Sequence, residues 1–260
     1  MSKASRNRDI ARAKVAAMRE REARQARQRR IYIAVGAAGL VIVAAVAIVL
    51  AVTSSSKSAR TTGSHPALKL GSLSSLGTLK PAPIPGTNGF EGVPIPVGSP
   101  LGSTSNGAKG GVVDGIRCQR NEQLIFHIHS HLVIFVNGQQ RQVAGGIGIP
   151  GSKVVSSPQG PVASGGTCFY WLHTHAPDGI IHIESPIHRT YTLGNFFDEW
   201  GQPLGPSVLG PYKGKVVAIY NGKRYIGNPR DVPLNSHAQI QLEVGKPLVA
   251  PETITWPSGL

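Results

Sequence analysis

The chain has 260 residues, 40% of them hydrophobic and 15% charged, with 27 Lys/Arg against 13 Asp/Glu and a net charge of +14 at neutral pH. That length leaves room for one or two domains. A pI near 10.2 raises the possibility of nucleic-acid binding, but the basic residues carry no recognised DNA- or RNA-binding signature, so no nucleic-acid partner is expected.

Residues 1–30 hold eleven of the Lys/Arg against Asp9, Glu20 and Glu22, among Ala, Arg, Gln and Glu that favour helix. A basic, solvated helix is expected there. Residues 31–52 are 22 consecutive uncharged residues, almost all Ile, Val, Ala, Leu and Gly. A helix of that length, rising about 1.5 Å per residue, spans a hydrocarbon core of roughly 30 Å. A cleaved signal peptide has an apolar stretch of only about 7–15 residues, so a retained transmembrane anchor is the expectation. The Arg-rich flank ending in Arg29-Arg30 stays cytoplasmic under the positive-inside rule, which places the remainder outside a cell membrane crossed once. The same flank is suited to anionic lipid headgroups.

Residues 53–111 are dominated by Ser, Gly, Pro and Thr, as in Pro81-Ala-Pro-Ile-Pro-Gly86. Too few apolar side chains are present to offset ordering entropy, which predicts a disordered linker. The short apolar clusters at Phe90 and Val93-Pro-Ile-Pro-Val97 leave a second reading open, in which this stretch packs on the domain that follows.

From 112 to 260 short apolar runs alternate with Gly, Pro and Asn-Gly. Leu132–Val136 leads into Asn137-Gly138, and Lys215–Tyr220 leads into Asn221-Gly222, both signals of two-residue hairpins. Further strands are predicted at Cys168–His175, Gly179–Glu184, Thr190–Leu193 and Ala238–Val244, and one short helix near Leu193–Trp200. The expectation is a mainly β domain, an antiparallel sandwich or small barrel of about 150 residues, large enough to bury a core. Both cysteines, Cys118 and Cys168, fall in it, and an even count outside the cytoplasm predicts a disulfide.

The stretches Cys168-Phe-Tyr-Trp-Leu-His-Thr-His175, Gly179-Ile-Ile-His-Ile-Glu-Ser-Pro186 and Thr192–Gly201 resemble a group of uncharacterised bacterial proteins, frequent in actinobacteria, that carry this signature in a secreted or anchored domain. The resemblance covers residues 115–260. It implies that the histidine pattern is a hallmark of that group and brings no activity with it.

Five of the nine histidines form two alternating runs, His127-Ile-His129-Ser-His131 and His173-Thr-His175, and His182-Ile-Glu184 follows the second. In a strand, alternate residues share a face, so each run lines up its imidazoles. Neutral imidazoles are good metal ligands, while an unliganded cluster repels itself on protonation. His127, His129, His131, His173, His175 and His182 are therefore the candidate ligands. His188 is near enough in sequence to contribute from a loop, and His65 and His237 read as incidental. Glu184 shares a face with His182 and is open to three roles: ligand, partner of a ligand, or general base on metal-bound water. Asp178, in Pro177-Asp-Gly179, reads as a turn residue.

No methionine follows Met18, and a Cys118–Cys168 disulfide leaves no thiolate, which disfavours soft Cu(I) and blue-copper sites. Copper(II) or zinc, with iron also compatible, suits the remaining imidazole and carboxylate donors. The layout partly resembles cupins and three-imidazole zinc hydratases, yet cupins place a Glu after the His pair at a different spacing. The leading expectation is an extracytoplasmic metal-binding protein. A metal-dependent hydrolase or oxygen-using enzyme with Glu184 as base, and a metal-free envelope interaction module, are the alternatives.

Overall fold

Thirteen strands and one α-helix organise the computed structural model, which describes residues 68–260. The predicted basic helix, the apolar span of 31–52 and the first part of the tether lie outside the described residues. Among the described residues no helix is long and apolar enough to cross a membrane.

The strands are β1 (Leu70–Gly71), β2 (Phe126–Val136), β3 (Gln139–Arg141), β4 (Val154–Ser157), β5 (Gly160–Ala163), β6 (Leu172–His173) and β7 (Ile180–Ser185). After the helix α1 (Leu193–Trp200) come β8 (Leu204–Gly205), β9 (Val208–Leu209), β10 (Tyr212–Lys213), β11 (Val216–Tyr220), β12 (Lys223–Tyr225) and β13 (Ala238–Val244). Eight strands form one sheet in the order β1-β12-β11-β13-β2-β7-β6, with β3 added to β2. Strands β8 to β10 form a small sheet of three, and β4 and β5 form a hairpin.

The domain is mainly β, as expected, but among the described residues no sheet closes into a barrel. Nor is the main sheet wholly antiparallel: β13 runs parallel to β2, pairing Ala238 with Ser130 through Val244 with Val136. Parallel neighbours need a long crossover, and the hundred or so residues between these strands supply it, so hairpin signals alone could not reveal the pairing. Both predicted hairpins form. Asn137 and Gly138 take φ of 50° and 73°, and Asn221 and Gly222 take 47° and 73°, the left-handed geometry of type I′ turns.

Two strand expectations shrink. Of Cys168–His175 only Leu172–His173 is a strand, because Tyr170 N–H and Thr174 N–H donate instead to the carbonyls of Gly148 and Ile147 at 2.8 and 3.1 Å. Thr190–Leu193 forms no strand; Thr192 bridges Pro233 and precedes the helix. That helix buries Leu193, Phe196, Phe197 and Trp200, the i, i+3, i+4, i+7 stripe of a helix lying on a core. Thr192 N–H donates to Asn195 Oδ1 at 3.1 Å at its start, and Gly201 ends it at φ 70°.

Alternation gives the main sheet two unlike faces. Leu132, Ile134, Val136, Leu172, Ile181, Ile183, Ile240 and Leu242 point toward the helix and form the larger core. The opposite face carries Val133 and Phe135 against Val249, and Val217 and Ile219 against Leu248. Each such side chain, fully buried, contributes about 1.5–3 kcal/mol. This second face is also the one that bears the histidines of β2.

Between the two readings of residues 68–111, the structure shows packing. Phe90, Val93 and Leu101 are buried, and Leu101 N–H donates to the Gln142 carbonyl at 3.0 Å. Cys118 and Cys168 form the expected disulfide, their Cα atoms 5.5 Å apart.

Candidate metal centre

Three neighbouring strands bring the histidines into one row. On β2, His129 stands opposite His182 of β7, and His182 stands opposite His173 of β6. His127 stands opposite Glu184 one step along. Directly opposed side chains in a sheet sit about 4.5–5.5 Å apart at Cβ, so this register forces four imidazoles and a carboxylate together. His175 joins them from just beyond β6, its ring centroid 4.7 Å from that of His182.

Ring nitrogens converge at contact distance. His129 Nε2 lies 3.0 Å from His127 Nε2 and 3.1 Å from His182 Nδ1. Glu184 Oε1 lies 3.1 Å from His127 Nε2 and 3.5 Å from His182 Nδ1. On the other side, His173 Nδ1 faces the Tyr170 carbonyl and His175 Nδ1 faces the Ala163 carbonyl, each at 3.0 Å. A carbonyl only accepts, so both Nδ1 atoms carry the proton and both Nε2 atoms present lone pairs. His173 Nε2 is buried with no hydrogen-bond partner, and so is Glu184 Oε2.

Three groups place one donor atom per residue within 4.8 Å of one another: His127, His129 and His182; His173, His175 and His182; and Glu122, His173 and Glu184. These buried clusters can hold a metal ion. Solvent reaches the edge at His127 and Glu122, whose side chains are 12% and 30% exposed.

Burial and charge set the protonation. Desolvation holds His173 down to about 3 and His175 below the usual histidine value. His129 is lowered well below that value by desolvation first and then by the charges of His182 and His127. His182 feels the same desolvation, but Glu91 and Glu184 outweigh it and raise its pKa well above the usual value. The His182 Nε2 to Glu91 Oε1 contact is 2.5 Å. Desolvation also pushes Glu184 upward, yet hydrogen bonds from His127 and His182 prevail and hold it well below the carboxylate range. Burial thus favours the neutral form of His129, His173 and His175, while Glu91 and Glu184 favour the charged form of His182.

His131 stands apart from this set. Its Nε2 donates to the Asp178 carbonyl at 3.0 Å, it belongs to none of the three groups, and desolvation lowers it to about 4. It lines a separate cavity of about 290 Å³ with Val133, Gln140, Glu252 and several prolines. His188 packs on the Phe126 ring at 4.8 Å, and His237 stacks on Trp256 at 4.6 Å. Asp178 does serve its turn, Oδ1 accepting from Ile180 N–H at 3.2 Å, but its carboxyl is also fully buried. Burial, then the charge of Glu91, raises its pKa well above the usual value.

Two carboxylates of the site escaped sequence reasoning. Glu91 sits in the tether and meets a histidine 91 residues away, and Glu122 precedes β2 in a loop. Only Phe90-Glu91, an aromatic and an acid amid Gly and Pro, hinted at the first. No protein family, curated protein or solved structure matches this chain.

Proposed function

We propose that this is a membrane-anchored, extracytoplasmic protein that binds a divalent transition metal, copper or zinc, through the histidines of β2, β6 and β7. One observation carries the metal reading: His173 and His175 spend their Nδ1 protons on backbone carbonyls and aim both Nε2 lone pairs into a buried cluster. That is the arrangement metal-ligating histidines adopt, because an outer acceptor fixes the tautomer and the ring. Glu91 on His182 Nε2 has the form of such an outer carboxylate for a third imidazole.

The donor set is nitrogen and oxygen only, since the disulfide consumes both thiols and no methionine follows Met18. Such donors favour copper(II) or zinc. Glu184 contacts His127 and His182 within the donor cluster, which suits a ligand better than a base facing substrate. The anchor and the lipid-facing basic flank rest on residues 1–52 and their composition.

The test is metal analysis of the full chain, purified in detergent with a tag free of histidine and desalted. Copper or zinc should be retained at one equivalent or more and fall to background in the triple variant His129→Gln, His173→Gln, His182→Gln. A folded wild-type protein that comes metal-free and refuses both added ions would overturn the proposal.

A further inference from the structure

The cluster has more donors than one ion can use. Five imidazoles and the carboxylates of Glu122 and Glu184 take part in the three groups, whereas zinc in a protein site accepts about four ligands. Their arrangement is divided as well as crowded. On one side, His127 Nε2, His129 Nε2, His182 Nδ1 and Glu184 Oε1 lie in a chain of contacts of 3.0, 3.1 and 3.5 Å, with Glu184 Oε1 closing on His127 at 3.1 Å. Metal–ligand bonds of about 2.0–2.1 Å in a tetrahedron put ligand atoms roughly 3.3 Å apart, so these separations match four ligands of one ion.

On the other side, His173 Nε2 and Glu184 Oε2 are both buried and both lack any hydrogen-bond partner. His173 carries its proton on Nδ1, so its Nε2 only accepts, and no donor reaches Glu184 Oε2. The two residues belong to one group whose donor atoms lie within 4.8 Å of one another, and unpartnered buried acceptors in such a group call for a cation. Glu122 completes a group with these two residues, and its Oε1 lies 3.8 Å from His175 Nε2.

We propose that the site holds two metal ions, one among His127, His129 and His182 and the other among His173, His175 and Glu122, with the Glu184 carboxylate bridging them through its two oxygens. This rests on the metal-binding reading and specifies its stoichiometry. A carboxylate between two divalent ions is a recurrent device of two-metal centres, where it offsets the charge that would otherwise separate them.

The experiment is zinc titration of the full chain after chelator treatment and desalting, read as tightly bound equivalents by mass spectrometry. It is repeated on His127→Gln/His129→Gln and on His173→Gln/His175→Gln, with circular dichroism to confirm the fold. Two equivalents in the wild type and one in each double variant are expected. One equivalent in the wild type overturns the two-ion site and leaves the metal-binding reading standing. No bound zinc, with copper also refused, overturns both. The wild-type count decides between these outcomes even where a double variant fails to fold.

Discussion

Residue by residue, the centre depends on groups that hold the ligands as much as on the ligands. Glu91 Oε1 lies 2.5 Å from His182 Nε2, and its side chain is 5% exposed. Replacing Glu91 with Gln keeps the shape and removes the charge that orients the imidazole. Metal affinity is expected to fall about 10–100-fold, the range found for outer-shell partners, in a chelator competition assay. An unchanged affinity would show that His182 needs no such partner. The histidines were legible in the sequence because alternation in a strand is a local rule. Glu91 and Glu122 were not, because a carboxylate becomes a site residue only when the fold carries it to partners tens of residues away.

A second buried acid, Glu199 on α1, makes a separate prediction. Both its carboxyl oxygens are buried without a hydrogen-bond partner. Desolvation first, then the charges of Asp114 and Asp198, raises its pKa well above the usual value despite Arg189. A pKa higher in the folded than in the unfolded chain means that stability is fully present below the unfolded value of about 4.5 and is lost as pH rises through the folded one. The Glu199→Gln variant, which cannot ionise, should therefore lose less stability than the wild type between pH 5 and 8 in denaturant titrations. Parallel pH profiles would contradict this.

At the scale of elements, the turn entering β7 fixes the register that aligns His182 with His129 and His173. Gly179 adopts φ 86°, its carbonyl accepts from Leu132 N–H at 2.9 Å, and a Cβ there would stand 2.3 Å from the Leu132 carbonyl oxygen. Both the dihedral and the approach require glycine. Gly179→Ala should cost more than about 1–2 kcal/mol in denaturant unfolding and weaken metal binding with it, since β7 must shift to relieve the contact. Full affinity in a destabilised variant would uncouple the turn from the site. The two Asn-Gly hairpins were legible because their signal is confined to two residues. The parallel alignment of β13 with β2 had no such signal, and the hydrogen-bonding of Tyr170 and Thr174 to the loop at 147–148 overrode the strand propensity of Cys168–His175.

Over the whole molecule, a hydrophobic core on one face of an eight-stranded sheet supports a polar cluster on the other. Residues 68–111 help to cover that second face: Leu73, Leu76 and Leu79 pack against Val217, Ile219 and Leu248, and Glu91 reaches His182. Low apolar content predicted a tether, and it misses this because three or four well-placed apolar side chains suffice once a preformed sheet receives them. The disulfide ties the loop before β2 to the segment leading into β6, two of the three strands that bear the histidines.

The most direct test is the zinc X-ray absorption spectrum of the metal-loaded full chain. The account predicts nitrogen and oxygen neighbours at about 2.0–2.1 Å, the outer-shell scattering of imidazole, and no sulfur at about 2.3 Å. A sulfur shell, or a shell without imidazole scattering, would contradict the assignment of the metal to this histidine cluster.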